Sequence, residues 1–215
     1  MKKVGLVLEG GAMRGMYTAG VIDVFLDNDI KVDGIIGVSA GALFGVNYVS
    51  KQKGRVIRYN KKYANDKGIQ IIGDIPIYVA LDSVDVWASP ESFQLDSKGF
   101  PTEVAGVPPD QFTADGQLWG NPLYDWDYMK KDGYSWWKNR IEHLCNMCDV
   151  IRIDHFRGFE SYYCIPANSK TAKIGEWRKG PGIDFFREIE KDLGKMNIIA
   201  EEIYIGKFDT ARSCK

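Results

Sequence analysis

The sequence lacks several features that would place it in a broad class of proteins. No stretch approaches the ~20 apolar residues of a membrane-spanning helix. The apolar run that follows Lys2 and Lys3 stops at Glu9, which is too early for the core of a signal peptide. No basic patch with interleaved aromatic residues indicates nucleic-acid binding. We therefore expect a cytoplasmic protein with no stable membrane anchor and no nucleic-acid partner.

Cysteine and histidine are also scarce, with four and two residues in the whole chain. Cys145 and Cys148 form a CxxC pair, but no second pair follows at the spacing of a zinc ribbon. Two thiols on a helix in a reducing cytosol explain the pair better than a metal or redox site does. We expect no metal and no other cofactor.

Proline and tryptophan are absent from the first 66 residues, whereas all eight prolines and all six tryptophans lie between Pro76 and Pro181. The first 66 residues hold 10 Lys and Arg against 6 Asp and Glu, and the remainder holds 18 against 23. This change predicts two segments of different origin that meet in the polar stretch NKKYANDKGI (60–69). We assign residues 1–66 to the first segment and 67–203 to the second, and leave 204–215 as an unassigned tail.

The first segment carries the pattern of a serine nucleophile on a sharp turn. A strand is predicted over 3–8, a helix over 16–27, and then a strand, a tight turn and another helix around Ser39 in GVSAG. A GxSxG turn between a strand and a helix exposes its serine at the positive end of the helix. The glycine turn over 10–15 offers main-chain N–H groups that could receive an oxyanion.

These motifs resemble the patatin-like serine acyl hydrolases. The resemblance implies that Ser39 is the nucleophile and that Gly10, Gly11, Arg14 and Gly15 form the oxyanion hole. The catalytic aspartate of that family lies in a later D-G-[GA] motif, which this sequence lacks: Asp33-Gly34 precedes the serine, and Asp115-Gly116 and Asp132-Gly133 lie in the other segment. Because a serine without a base is a poor nucleophile, an intact but idle turn is the favoured alternative.

The second segment begins with a parallel strand over 69–73 and a long region rich in proline, glycine and tryptophan. Within it, VAGVPPDQFTADGQLWGNPLYDW interleaves aromatic residues with amides and carboxylates. Such a mixture suits sugars, which have apolar ring faces and hydroxyl-rich rims. It is equally compatible with a loop that is packed by its own aromatic side chains.

Charged side chains follow two later strands, predicted over 149–153 and 197–200. Arg152 and Asp154 are two residues apart and share one face of their strand, so we expect the arginine to lower the pKa of the carboxylate. Glu201 ends the other strand, and an acid/base at that position requires a raised pKa. Two such carboxyl groups about 5 Å apart are typical of retaining glycosidases.

Four motifs appear in this order: IIGDIPIYVALDSVDVW, AGVPPDQFTADGQLWGNPLYDW, VIRIDHFRGFESYY and IIAEE. Over about residues 68–202 the chain thereby resembles the 4-alpha-glucanotransferase (amylomaltase) family, whose retaining barrel enzymes transfer α-1,4-glucan segments. The resemblance implies that Asp154 is the nucleophile, that Arg152 keeps it charged, that His155 binds sugar and that Glu201 is the acid/base. It also implies that the loop carrying Asp110, Phe112, Gln117 and Trp119 lines the sites for an α-glucan or maltooligosaccharide.

The chain departs from this family in two respects. It reads AEEIYIG where the family usually has AEDLG, and later strands that carry a third carboxylate are absent from the sequence. The fold class predicted is α/β, with an incomplete (β/α) barrel segment joined to a patatin-like α/β fragment; one five-stranded parallel sheet is also compatible with the pattern. We expect glucan transfer that is impaired by truncation, with a serine acyl hydrolase and an inactive chimeric chain as the alternatives.

Overall fold

A computed structural model describes residues 3–10 and 15–201 of the chain. It divides into two units, Met1–Ile71 and Ile72–Lys215. The predicted tail at 204–215 lies outside the described residues, as do Gly11 and Arg14.

The first unit alternates strands and helices, as its apolar spacing predicts. Its elements are β1 (Gly5–Leu8), α1 (Gly15–Asp27), β2 (Gly34–Gly37), α2 (Ala40–Val49) and α3 (Arg55–Asn65). Strands β1 and β2 pair in parallel, with Gly5 opposite Gly34 and Leu8 opposite Gly37. A small core of Leu8, Ala19, Ile22, Phe44 and Val56 joins the sheet to the helices.

The second unit contains two sheets and four helices among the described residues. Its elements are β3 (Ile72–Pro76), α4 (Val84–Ala88), β4 (Glu103–Val107), β5 (Gln117–Pro122), α5 (Trp126–Lys131), α6 (Ser135–Met147), β6 (Val150–Asp154), β7 (Ser161–Pro166), β8 (Glu176–Lys179), α7 (Ile183–Leu193) and β9 (Ile198–Ala200). Strands β3, β6 and β9 form a parallel sheet in that order, and β5, β4, β7 and β8 form an antiparallel one.

An aromatic core holds the second unit together. Tyr124, Trp137, Phe159 and Phe185 are almost completely buried, and the ring centroids of Phe159 and Phe185 are 4.7 Å apart. Full burial of each such ring contributes about 1.5–3 kcal/mol. The aromatic residues that set this segment apart in composition therefore supply much of its packing.

One five-stranded parallel sheet is wrong for the described residues, because β1 and β2 pair only with each other while β3, β6 and β9 form a separate sheet. The region predicted as a long loop also differs, since it contains β4 and β5 of the antiparallel sheet. No helix in the described part of the chain is long and apolar enough to span a membrane.

Candidate active site

The parallel sheet of the second unit brings three carboxylates to one edge. Asp74 lies on β3, Asp154 is the last residue of β6, and Glu201 directly follows β9. Main-chain bonds fix Glu201 against β6: its N–H donates to the Ile153 carbonyl at 3.0 Å, and its own carbonyl accepts from Phe156 N–H at 2.9 Å. Carboxyl ends of parallel strands are where α/β enzymes commonly build their sites.

Arg152 projects among these three carboxylates. Its Nη1 donates to both oxygens of Asp74, at 2.7 and 2.8 Å. Its Nη2 lies 3.3 Å from Glu201 Oε1 and 3.7 Å from Asp154 Oδ1. The predicted approach of Arg152 to Asp154 is therefore present, but the strongest bond of the arginine goes to Asp74.

The two predicted catalytic carboxyl groups, Asp154 and Glu201, are hydrogen-bonded to each other. Burial raises the pKa of Asp154, and the hydrogen bond and negative charge of Glu201 raise it further, while Arg152 acts in the opposite direction. The hydrogen bond from Asp154 lowers the pKa of Glu201. Glu201 also accepts a bond from His155 N–H at 3.3 Å.

These directions reverse the expected ones, in which Asp154 had the lowered pKa and Glu201 the raised one. Burial of Asp154 is the largest cause, and the geometry adds to it, because Asp74 engages the guanidinium and leaves Asp154 facing Glu201. Of the two carboxyl groups, Asp154 is therefore the more easily protonated.

A cleft of about 600 Å³ opens beside the carboxylates. It is lined by Pro76, Ile77, Tyr78, Val79, Ala80, Ser83, Asp85, Trp119, Asn121, Asp154 and His155. The indole of Trp119 meets the imidazole of His155 edge-on, with 4.9 Å between ring centroids. Burial lowers the pKa of His155, and nearby Arg157 lowers it further, so the imidazole is neutral near pH 7.

The predicted sugar-binding loop is only partly at this cleft. Trp119 lines it, whereas Asp110, Phe112 and Gln117 are not among its lining residues. The Asp110 carboxylate closes its own turn by accepting N–H bonds from Phe112 and Thr113 at 2.8 and 2.7 Å, and these bonds lower its pKa. Gln117 accepts from Trp119 Nε1 at 3.0 Å and so orients that indole.

Asp74 and Tyr78 are among the groups at the site that were not predicted as functional. Asp74 directly follows the strand predicted at 69–73, so the sequence indicated where it lies. The sequence did not indicate that Asp74 pairs with Arg152. Asn121 Nδ2 donates to the Val79 carbonyl at 2.9 Å. Tyr78 is buried beneath Trp119, at 6.2 Å between ring centroids.

The first unit forms the predicted turn around Ser39. The serine is exposed and adopts φ 52° and ψ -121°, directly before α2. A Cβ at Gly41 would collide with the main chain of Leu8, and one at Gly10 would lie 3.1 Å from Ser39 Cβ. Asp33 is engaged elsewhere, since its carboxylate accepts from Val4 N–H at 2.7 Å, at the opposite end of the two strands.

The CxxC pair shows no metal-site geometry. Cys148 is buried, and its thiol donates to the Leu144 carbonyl at 3.1 Å, while Cys145 is exposed. Within residues 3–10 and 15–201 no group of three or more His, Cys, Asp or Glu side chains could hold a metal ion.

Paired carboxyl groups at the ends of neighbouring parallel strands, beside an aromatic cleft, are typical of carbohydrate-active α/β enzymes. The family described as 4-alpha-glucanotransferase matches residues 48–207, and the chain therefore belongs to that family. The match begins within α2, before the junction predicted at 60–69.

Individual relatives agree with this assignment. The chain is 57% identical to the 4-alpha-glucanotransferase of Streptococcus pneumoniae serotype 4 over 143 residues, which is 66% of this chain and 28% of that protein. It is 52% identical to the chloroplastic/amyloplastic 4-alpha-glucanotransferase of Solanum tuberosum over 66% of this chain and 25% of that one. The amylomaltase of Streptococcus agalactiae, solved in complex with acarbose, superposes with a TM-score of 0.69 and 46% identity over 79% of this chain and 34% of that one.

The fold is accordingly a mixed α/β fold similar to amylomaltase. The chain spans under a third of the length of the Streptococcus pneumoniae and Solanum tuberosum enzymes.

Proposed function

We propose that the second unit carries the nucleophile and the acid/base of a retaining 4-alpha-glucanotransferase. The observation that supports this most directly is the hydrogen-bonded pair of Asp154 and Glu201 at the ends of β6 and β9. In the first step Asp154 attacks the anomeric carbon of an α-1,4-glucan while Glu201 protonates the departing 4-oxygen. In the second step Glu201 takes the proton of an acceptor 4-hydroxyl, which displaces Asp154 and forms the new glycosidic bond.

The order of the two carboxyl pKa values must reverse when substrate binds. In the structure Asp154 is the more easily protonated of the two groups, but the first step requires the proton on Glu201. A glucosyl ring that enters between the two carboxyl groups breaks their hydrogen bond. Asp154 then keeps Arg152 as its nearest charged neighbour, and Glu201 loses the bond that lowered its pKa.

The other predicted residues have binding roles in this proposal. Trp119 offers an aromatic face to a sugar ring, and His155 faces the same cleft as a neutral hydrogen-bonding group. Asp110 and Phe112 contact glucan units beyond the cleft. Asp110 prepares the loop for this contact, because its hydrogen bonds to Phe112 and Thr113 hold the tip of the loop in one conformation. The strands β3, β6 and β9 form one segment of a parallel barrel.

A maltotriose disproportionation assay tests the proposal. We expect Asp154→Asn to abolish formation of glucose and longer maltooligosaccharides, and Glu201→Gln to slow it by about 10²–10⁴-fold. Asp149→Asn is the matched control, because Asp149 precedes the same strand at its opposite end. Equal activity in Asp154→Asn and the control would contradict the assignment.

Binding is measured separately, because it reports on the cleft without the chemical steps. Titration with acarbose, followed by tryptophan fluorescence, should saturate in the wild type. Trp119→Ala should weaken binding, by about 1–3 kcal/mol if the indole stacks as expected of an aromatic sugar platform. The cytoplasmic location stays a prediction.

A serine acyl hydrolase remains a second candidate, because the backbone at Ser39 is strained. A non-glycine residue at φ 52° and ψ -121° costs on the order of 1–3 kcal/mol and is found mainly at functional turns. The resemblance of residues 1–66 to patatin-like hydrolases predicts that a fluorophosphonate labels Ser39. The labelling should be absent in Ser39→Ala. Ser50→Ala is the control variant.

The two candidates lie in different units and can be tested in one preparation. Glucan transfer without labelling supports the first, and labelling with hydrolysis of short-chain esters supports the second. A folded chain with neither activity is the result expected of an inactive chimeric chain.

A further inference from the structure

Asp74 lies opposite Arg152 in the sheet and has no role in the chemistry above. The two residues are direct partners in the parallel register of β3 and β6, although they are 78 positions apart in the chain. Both oxygens of Asp74 accept from Arg152 Nη1, at 2.7 and 2.8 Å. Two paired strands therefore fix this contact, and it does not depend on a loop.

The other nitrogen of the same guanidinium faces the catalytic pair at longer range. Arg152 Nη2 is 3.3 Å from Glu201 and 3.7 Å from Asp154. A guanidinium is rigid and planar. When its Nη1 is bound to Asp74, its Nη2 cannot move independently toward a second carboxylate. Asp74 thus determines the distance between the positive charge and Asp154.

We propose that Asp74 is a positioning residue, which anchors the guanidinium of Arg152 and thereby limits how strongly its charge acts on Asp154 and Glu201. The catalytic meaning of this proposal rests on the function proposed above, but the anchoring itself does not. An unanchored arginine would turn onto Asp154 in a bidentate pair, which is the strongest arrangement available to it.

The consequence concerns which of the two carboxyl groups is protonated more easily. An arginine paired closely with Asp154 would favour its ionised form and so lower the pKa of Asp154. Among residues 3–10 and 15–201, the charged and titratable groups that act on this pair are Arg152, Asp74 and His155. Asp85 lines the same cleft, and Arg157 acts on His155.

The test is a carboxyl ¹³C NMR titration of the full chain without ligand. In Asp74→Asn we expect the pKa of Asp154 to fall, because the arginine is released toward it. Asp149→Asn, at the other end of β6, should leave that pKa unchanged. Amide spectra of each variant establish that the fold is retained.

A double-mutant cycle separates anchoring from the direct effect of the Asp74 charge. If Asp74 acts through Arg152, its substitution should shift the pKa of Asp154 much less in an Arg152→Gln background. An equal shift in both backgrounds would overturn the proposal, as would no shift in Asp74→Asn.

Asp74→Glu provides a second variant if the asparagine variant does not fold. It keeps the charge but moves the anchoring carboxylate by one methylene, so the guanidinium is displaced toward Asp154 and the pKa of Asp154 again falls. An unchanged pKa in this variant would contradict the anchoring role. Since the titration needs no substrate, its result is independent of whether the chain transfers glucan.

Discussion

The buried hydroxyl group of Tyr124 contacts the main chain of a residue that lines the cleft. The hydroxyl donates to the Ile77 carbonyl at 2.6 Å, and Ile77 lines the cleft. The ring is completely buried and packs against Phe93, Trp136 and Trp137. Tyr124→Phe keeps this packing and removes the hydroxyl, which also hydrogen-bonds with Arg140.

The cost follows from the acceptor that is left behind. The Ile77 residue is 2% exposed, so its carbonyl would lose its partner without gaining water. A buried acceptor without a partner costs about 1–3 kcal/mol. In a chain of 150–250 residues each kcal/mol lowers Tm by about 2–4 °C, so a loss of about 2 kcal/mol corresponds to about 4–8 °C.

Urea unfolding followed by circular dichroism, with calorimetry for Tm, measures this loss. Tyr128→Phe is the control, because Tyr128 lies nearby on α5 and is 37% exposed; we expect its effect to stay within about 0.5 kcal/mol. A Tyr124→Phe variant as stable as this control would refute the argument that Ile77 depends on the phenol. Weaker acarbose binding by Tyr124→Phe would link the bond to the cleft.

Two further predictions concern backbone crowding and pH. Gly106→Ala should destabilise the chain by about 1–3 kcal/mol, because the added Cβ on β4 would collide with the Gln117 carbonyl on β5. Urea unfolding measures this loss. Gly5→Ala is the control, because no atom lies within 4 Å of its added carbon. Since burial lowers the folded-state pKa of His155, the unfolded chain binds more protons below pH ~6.5, and stability should fall as the pH drops through that value. His155→Asn should reduce this pH dependence, since asparagine tolerates φ 52° at this position; a slope equal to that of the unsubstituted chain would contradict it.

Local patterns in the sequence predicted the elements that carry the site. The strands over 149–153 and 197–200 correspond to β6 (Val150–Asp154) and β9 (Ile198–Ala200). Short β-branched runs bounded by polar residues define such strands locally, so the placement of Asp154 and Glu201 at strand ends needed no tertiary information.

The antiparallel sheet was not predicted for a physical reason. Its strands β4 and β5 contain Gly106, Gly120 and Pro122, residues that disfavour strands when judged locally. They form strands because β7 pairs with β4 over Glu103–Gly106, and this partner follows more than 50 residues later.

The aromatic residues of this region had two explanations, sugar binding and packing of the loop by its own side chains. Tyr124 is buried in the core and fits the packing explanation. Trp119 lines the cleft, as the sugar-binding explanation requires.

The sequence by itself determined the family, the strand ends that carry Asp154 and Glu201, and the glycine spacing that permits the turn at Ser39. Each of these depends on residues that are close together in the chain. Only the tertiary structure decided that Arg152 binds Asp74 more closely than Asp154, and that Asp154 is more easily protonated than Glu201. Those outcomes depend on the register of β3 against β6 and on distances of a few ångströms between side chains from three separate strands, which no local pattern encodes.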